Sequence, residues 1–124
     1  MPAEPLIAII DDDESMRIGL VTLVRSAGYA AQGFASAEEF LGLGPGSSRG
    51  FACVITDIQM PGLSGIELKQ RLSAELCPLP VIMITARNEA DLEERALAAG
   101  AACFLRKPFD AAVLIRCLEK ALRG

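Results

Sequence analysis

The chain has no histidine, no tryptophan and a single tyrosine among its 124 residues. Without histidine it lacks the side chain that most often acts as general base or transition-metal ligand near neutral pH. Ser-His-Asp and Cys-His nucleophilic arrangements are therefore excluded. Cys53, Cys77, Cys103 and Cys117 form no C-x-x-C, and no histidine is present to complete a zinc site with them. They read as reduced, structural thiols; a redox sensor would need exposed thiols of low pKa. The twelve lysines and arginines are scattered and outnumbered by sixteen acids, giving a net charge of −4. No basic face for nucleic acid stands out. No apolar run approaches the roughly eighteen residues of a membrane span. The N-terminal MPAEP has neither the basic nor the apolar region of a signal peptide. A cytoplasmic protein is expected, with no membrane contact and no nucleic acid bound through this domain.

What is present is a high apolar content, 52% of residues, in a length that suits one domain with a core of its own. Short apolar runs alternate with helical patterns. Leu6–Ile10 reads as a first strand, and a helix over 15–27 would place Met16, Leu20, Leu23 and Ala27 on one face, with Gly28 ending it. A second strand is expected over 29–34. Ser36-x-x-Glu39 is a capping box for a helix to about Leu43. The stretch GLGPGSSRG, 42–50, reads as a surface loop. A third strand follows over 51–57, and Ser64-x-x-Glu67 opens a helix to about Leu76. A strand over 80–85, a helix over 89–99 closed by Gly100, a strand over 102–106 and a helix capped by Asp110 complete the pattern. The last helix carries a stripe of Val113, Leu114, Cys117, Leu118, Ala121 and Leu122. Five such units, with near-continuous Ile/Val/Leu/Met strands, predict a parallel sheet covered on both faces. Right-handed crossovers make it a doubly wound (βα)5 sandwich.

Ligands of such sheets sit beyond the carboxyl ends of the strands. Here those ends carry Asp11 and Asp12, Asp57, Thr85 and Lys107. Three carboxylates converging in one cleft repel one another unless a cation joins them. A hard divalent ion such as Mg2+ suits oxygen ligands of this kind. An ammonium and a hydroxyl beside that ion are partners for a phosphoryl group. A carboxylate can attack phosphorus to give an acyl phosphate, and Asp57, on the central strand, is the geometric favourite. Asp13 and Glu14 lie one and two places past the pair, where an acid favours a helix N-terminus.

The segments IIDDDESMR, VITDIQMPGLSGIEL, VIMITA and FLRKPF, in this order and at these separations, resemble the signature segments of bacterial two-component response-regulator receiver domains. The resemblance covers about residues 5 to 122. FASAEEFL and GAACFLRKPF lean toward the FixJ type, whose members often carry a helix-turn-helix output domain. Residues 1–124 are then expected to form a single receiver domain, either alone or as the N-terminal part of a longer regulator. The resemblance implies a flavodoxin-like sheet of order 2-1-3-4-5. It implies that Asp57 is the phospho-acceptor, with Mg2+ (or Mn2+) held by Asp12 directly, Asp11 partly through water, Asp57, and the backbone carbonyl of Gln59. Lys107 would pair with the phosphoryl group, and the Lys107-Pro108 bond would be cis. Thr85 and Phe104 would form the switch pair, Thr85 moving toward the phosphoryl oxygen and Phe104 turning inward. The implied partners are a sensor histidine kinase and, once phosphorylated, a second copy of the chain or an output partner, through the face made by the fourth helix, fifth strand and fifth helix. Gln59 and Arg87 stand two places after Asp57 and Thr85, where side chains tune dephosphorylation in the family.

Three rivals remain. A haloacid-dehalogenase-type phosphatase would use Asp11 as nucleophile and Asp13 as acid/base, since Asp11-x-Asp13 formally fits its D-x-D pattern. A flavodoxin-like cofactor binder would need a phosphate-cradling loop after the first strand, where this chain has four acids. A degenerate receiver would bind partners without phosphorylation. Self-phosphorylation and self-dephosphorylation, rather than turnover of a separate substrate, are the expected chemistry.

Overall fold

Five runs of mostly apolar residues become the strands of one parallel sheet in the computed structural model of the protein, which describes residues 5–42, 50–75 and 79–123. The strands are β1 (Leu6–Ile10), β2 (Ala30–Phe34), β3 (Cys53–Asp57), β4 (Val81–Thr85) and β5 (Cys103–Arg106). The helices are α1 (Glu14–Ser26), α2 (Ala37–Leu41), α3 (Gly65–Ala74), α4 (Leu92–Ala98) and α5 (Ala111–Leu122). The strand order is β2-β1-β3-β4-β5, with every pairing parallel. The chain steps from β1 to one side, then crosses to build β3, β4 and β5 on the other. The order thus reverses between β1 and β3, and a crevice opens at their carboxyl ends.

Successive strand side chains point to opposite faces, so each strand feeds two cores. Ala8, Ile10, Val54, Val81 and Met83 pack with α2, α3 and α4, whose buried residues include Phe40, Leu68, Leu72 and Leu92. Ile7, Ile9, Ile55, Ile82 and Ile84 pack with Leu20 and Val24 of α1 and Leu114 and Leu118 of α5. Short α2 is pinned by an aromatic cluster: the Phe40 ring lies 5.4 Å from Phe34 and 5.3 Å from Phe51, both edge-on. Such pairs add to the area they bury.

The helix ends follow local chemistry. Asp13 is the N-cap of α1 and accepts the Met16 amide at 3.2 Å. Gly28 follows that helix with φ +97°, a conformation natural to glycine. Ser64 and Glu67 form the full capping box of α3, but at Ser36 only the forward half forms, from the Glu39 amide. Asp110 stands at the N-cap of α5 without a side-chain cap bond. Two expectations shift. On α1 the buried pair is Leu20 and Val24, while Ala27 is exposed; the one-turn step from 20 to 24 faces β1, and Ala27 lies past the helix end. Helix α4 begins at Leu92 rather than Glu89, because the preceding residues form a turn closed by the Leu92 amide on the Glu89 carbonyl at 3.2 Å. The expected helix ends at Leu43 and Leu76, most of the 42–50 loop, and Cys77 lie outside the described residues.

Candidate functional site

The site is assembled from four strand ends and two helices. Asp11 directly follows β1, and its amide donates to the Phe34 carbonyl of β2 at 3.1 Å. Its carboxylate is almost wholly buried, with 1% exposure. Oδ1 accepts the Asp13 amide at 2.9 Å, and Oδ2 faces Lys107 Nζ at 3.3 Å. Asp57 ends β3. Its Oδ1 accepts the Gln59 amide at 3.0 Å and its Oδ2 lies 3.1 Å from Lys107 Nζ. Lys107 thus bridges two acids that come from different strands. Asp12 is exposed at the mouth, and ligand oxygens of Asp11, Asp12 and Asp57 all lie within 4.8 Å of one another.

Three carboxylates and one ammonium leave an excess of negative charge when all are ionised. Burial raises the pKa of Asp11, with the charge of Asp57 adding to the effect; the Asp13 amide and Lys107 oppose it only in part. For Lys107, burial works against the ammonium, but the attraction and hydrogen bonding of Asp57 and then Asp11 outweigh it, and its pKa is raised. The cluster is therefore electrostatically primed for one more cation.

Thr85 ends β4 and is fully buried. Its hydroxyl oxygen accepts the Arg87 amide at 3.0 Å, which leaves the hydroxyl proton free to donate elsewhere. Its carbonyl accepts the Lys107 amide at 2.7 Å, tying the two strand ends together. Phe104 lies on β5, half-buried against the core that holds α4. The Arg106 guanidinium lies 5.1 Å over its ring and donates to the Arg87 carbonyl at 2.7 Å. The Lys107-Pro108 bond is cis.

Sequence reasoning passed over three side chains that the fold brings to this site. Arg17 of α1 donates to the Asp11 carbonyl at 2.9 Å and so fixes the turn that carries the acidic pair. Arg106 joins the ring of Phe104 to the loop after β4, and Glu38 of α2 reaches the loop after β3. Their bonds to the backbone carry no local signal, since the fold brings those backbone groups near. The rival roles of Asp11 and Asp13 fit poorly: the Asp11 side chain is 1% exposed against 11% for Asp57, and Asp13 is spent on capping. The described thiols, Cys53, Cys103 and Cys117, take no part in this cluster. Burial pushes Cys53 up to about 12 and Cys103 up to about 11, the latter with help from neighbouring Cys117, so neither is poised as a thiolate near neutral pH.

Comparison with known proteins decides the family. The sequence model of the response regulator receiver domain matches residues 7–119. The chain belongs to the response-regulator receiver family. It is 42% identical over 117 residues to the transcriptional regulatory protein FixJ of Bradyrhizobium diazoefficiens, covering 94% of this chain and 56% of that one. It is 39% identical to FixJ of Azorhizobium caulinodans over 98% of this chain and 57% of that one. The chain thus spans a little over half the length of these curated relatives. The crystal structure of FixJ-N superposes with a TM-score of 0.89 at 32% identity, over 99% of this chain and 97% of that one. Full-length FixJ from B. japonicum gives 0.88 at 40% identity, over 98% and 59%. The receiver is FixJ-like, and its sheet order is that of the family fold. As a receiver of a two-component response regulator it is a phosphorylation-based signalling switch. Among the described residues no helix is long and apolar enough to cross a membrane.

Proposed function

We propose that residues 1–124 act as a single receiver domain that takes a phosphoryl group from a sensor histidine kinase onto Asp57, with Mg2+ or Mn2+ as cofactor. The observation that carries this reading is the double engagement of the Asp57 carboxylate: Oδ1 on the Gln59 amide, Oδ2 on Lys107, with Asp11 and Asp12 alongside. The donor set fits a hard ion. One ligand oxygen from each of Asp11, Asp12 and Asp57 lies within 4.8 Å of the others, an all-oxygen set of the kind such an ion takes. Asp12, Asp57 and the Gln59 carbonyl would hold the ion, with Asp11 contributing partly through water. When bound, it supplies positive charge against the phosphoryl oxygens.

The residues of the chain divide the remaining work. An Asp57 oxygen attacks phosphorus; the bond to the imidazole nitrogen of the kinase breaks, that nitrogen leaves with the electron pair and is reprotonated, and an acyl phosphate stands on Asp57. Lys107 moves its ammonium from the carboxylates to the new phosphoryl oxygens. Thr85 donates its free hydroxyl proton to one of them. The loop through Arg87 follows, and Phe104 turns inward. The α4-β5-α5 face changes, where Leu97 is already half exposed, and dimerisation or an output partner responds. The domain works as a cytoplasmic switch that phosphorylates and dephosphorylates itself, and contributes to transcription regulation through an output partner.

The test is intact mass and peptide mapping after incubation with acetyl phosphate, with and without Mg2+. One phosphoryl group on Asp57, absent without Mg2+ and absent in Asp57→Asn, is the expected result. Phosphate on Asp11 would instead place the protein among phosphatases, and none at all would leave a degenerate receiver.

A further inference from the structure

We infer that Glu38 is a positioning residue for the phosphorylation site: from helix α2 it fixes the loop between β3 and α3 that carries the Gln59 carbonyl. The inference rests on the receiver reading of Asp57 and Gln59.

Glu38 Oε2 accepts the Leu63 amide at 3.0 Å, a contact between residues 25 positions apart. Next to it, Gly62 has φ +79°, and a Cβ there would collide with the Glu38 carboxylate. The loop turns at its one residue without a side chain, where the acid arrives. Both partners are well founded. Behind Glu38, α2 is capped by Ser36 and held by the Phe40 ring in the aromatic cluster. Behind Leu63, the loop closes through the Gly65 amide on the Ile58 carbonyl at 3.0 Å and through the capping box of Ser64 and Glu67. At its other end the Gln59 amide is fastened to Asp57. Glu38 therefore clamps the middle of a loop whose first residues are part of the site. It is positional work, since Glu38 itself touches none of the acids of the cluster.

Three variants of the full chain separate this role from others. Glu38→Gln keeps an oxygen able to accept the Leu63 amide. Glu38→Ala removes it, and Glu38→Asp withdraws it by one methylene while keeping the charge. Mg2+ binding is read by titration calorimetry, exchange of the Leu63 and Gln59 amides by NMR without metal, and folding by circular dichroism. Glu38→Ala and Glu38→Asp should bind Mg2+ about three- to fivefold more weakly, the effect expected of one exposed hydrogen bond, with faster Leu63 exchange. Glu38→Gln should stay close to wild type. Unchanged Mg2+ affinity in the Ala and Asp variants would overturn the inference, even if their melting temperatures fell, because Glu38 would then only stabilise the fold. An equal loss in the Gln variant would overturn it too, by tracing the effect to charge. Wild type that binds Mg2+ and is phosphorylated on Asp57 while these variants behave like it would sink the clamp alone. Wild type that does neither would sink the receiver reading and the clamp together.

Discussion

Replacing Lys107 by methionine tests the electrostatics of the cluster most directly. Methionine keeps much of the aliphatic stem and removes the ammonium that lies 3.3 Å from Asp11 and 3.1 Å from Asp57. Removing one partner of a buried ion pair costs about 3–5 kcal/mol. Here the Lys107 side chain is 20% exposed and that of Asp57 is 11% exposed, so water screens part of the loss. Asp11 can also take up a proton instead of staying charged. A deficit of about 2 kcal/mol near neutral pH is therefore expected for the metal-free variant. The pH dependence has a definite sign. The folded pKa of Asp11 already lies above the ordinary 3.8, so the stability linked to its protonated form is full below that value and is lost as pH rises through the raised one. Without Lys107 this loss deepens. The folded pKa of Lys107 lies above the ordinary 10.5, so its own contribution holds below that value and fades as pH rises through the raised one. The deficit of Lys107→Met should thus be small in acid, largest between those two windows, and small again in strong base. Mg2+ should shrink it, because the ion takes over the carboxylates that Lys107 leaves, and the variant should bind Mg2+ more tightly than wild type. Urea unfolding followed by far-ultraviolet circular dichroism suits a chain without tryptophan. A deficit that is the same in acid and at neutral pH and insensitive to Mg2+ would refute this reasoning and trace the loss to packing.

Two further perturbations probe the loop and helix that follow Asp57. Gly65→Ala would place a Cβ 2.7 Å from the Asp57 carbonyl oxygen and 3.0 Å from Thr56 Cγ2; backbone must yield, at about 1–3 kcal/mol, and phosphorylation by acetyl phosphate should slow as Asp57 is displaced. Wild-type rates with wild-type stability would show that this contact gives way freely. Ser64→Ala removes the forward half of the α3 capping box, and urea unfolding should show a loss of about 1 kcal/mol.

Much of the architecture could be read along the chain. Strand cores, the capping box at Ser64, the stop at Gly28 and the acids at the strand ends all act over a few residues. The apolar run of Leu6–Ile10 forms a strand that is buried on both faces. Asp13 caps the helix that begins just after it. Hydrophobic period and backbone capping need no distant partner, so the sequence expresses them directly. The alternation of strands and helices likewise restricts the sheet to a parallel, two-sided arrangement.

Other features were decided by tertiary contact. Lys107 meets Asp11 across 96 positions and Asp57 across 50, and only the sheet order and register bring their ends together. Which residues of α1 meet β1 depended on where the helix ends and how it packs: Leu20 and Val24 join Ile7 and Ile9 in the core, while Ala27 falls at the C-cap. Arg17, Arg106 and Glu38 donate to or accept from backbone groups of other elements, and backbone groups leave no mark in a sequence. The sequence by itself determined the elements and the chemical types at their ends, because those follow from local period and local hydrogen bonding. Only the folded sheet decided which charges share a crevice and what braces them, because distances between remote residues are set by strand order, register and the packing of helices on both faces.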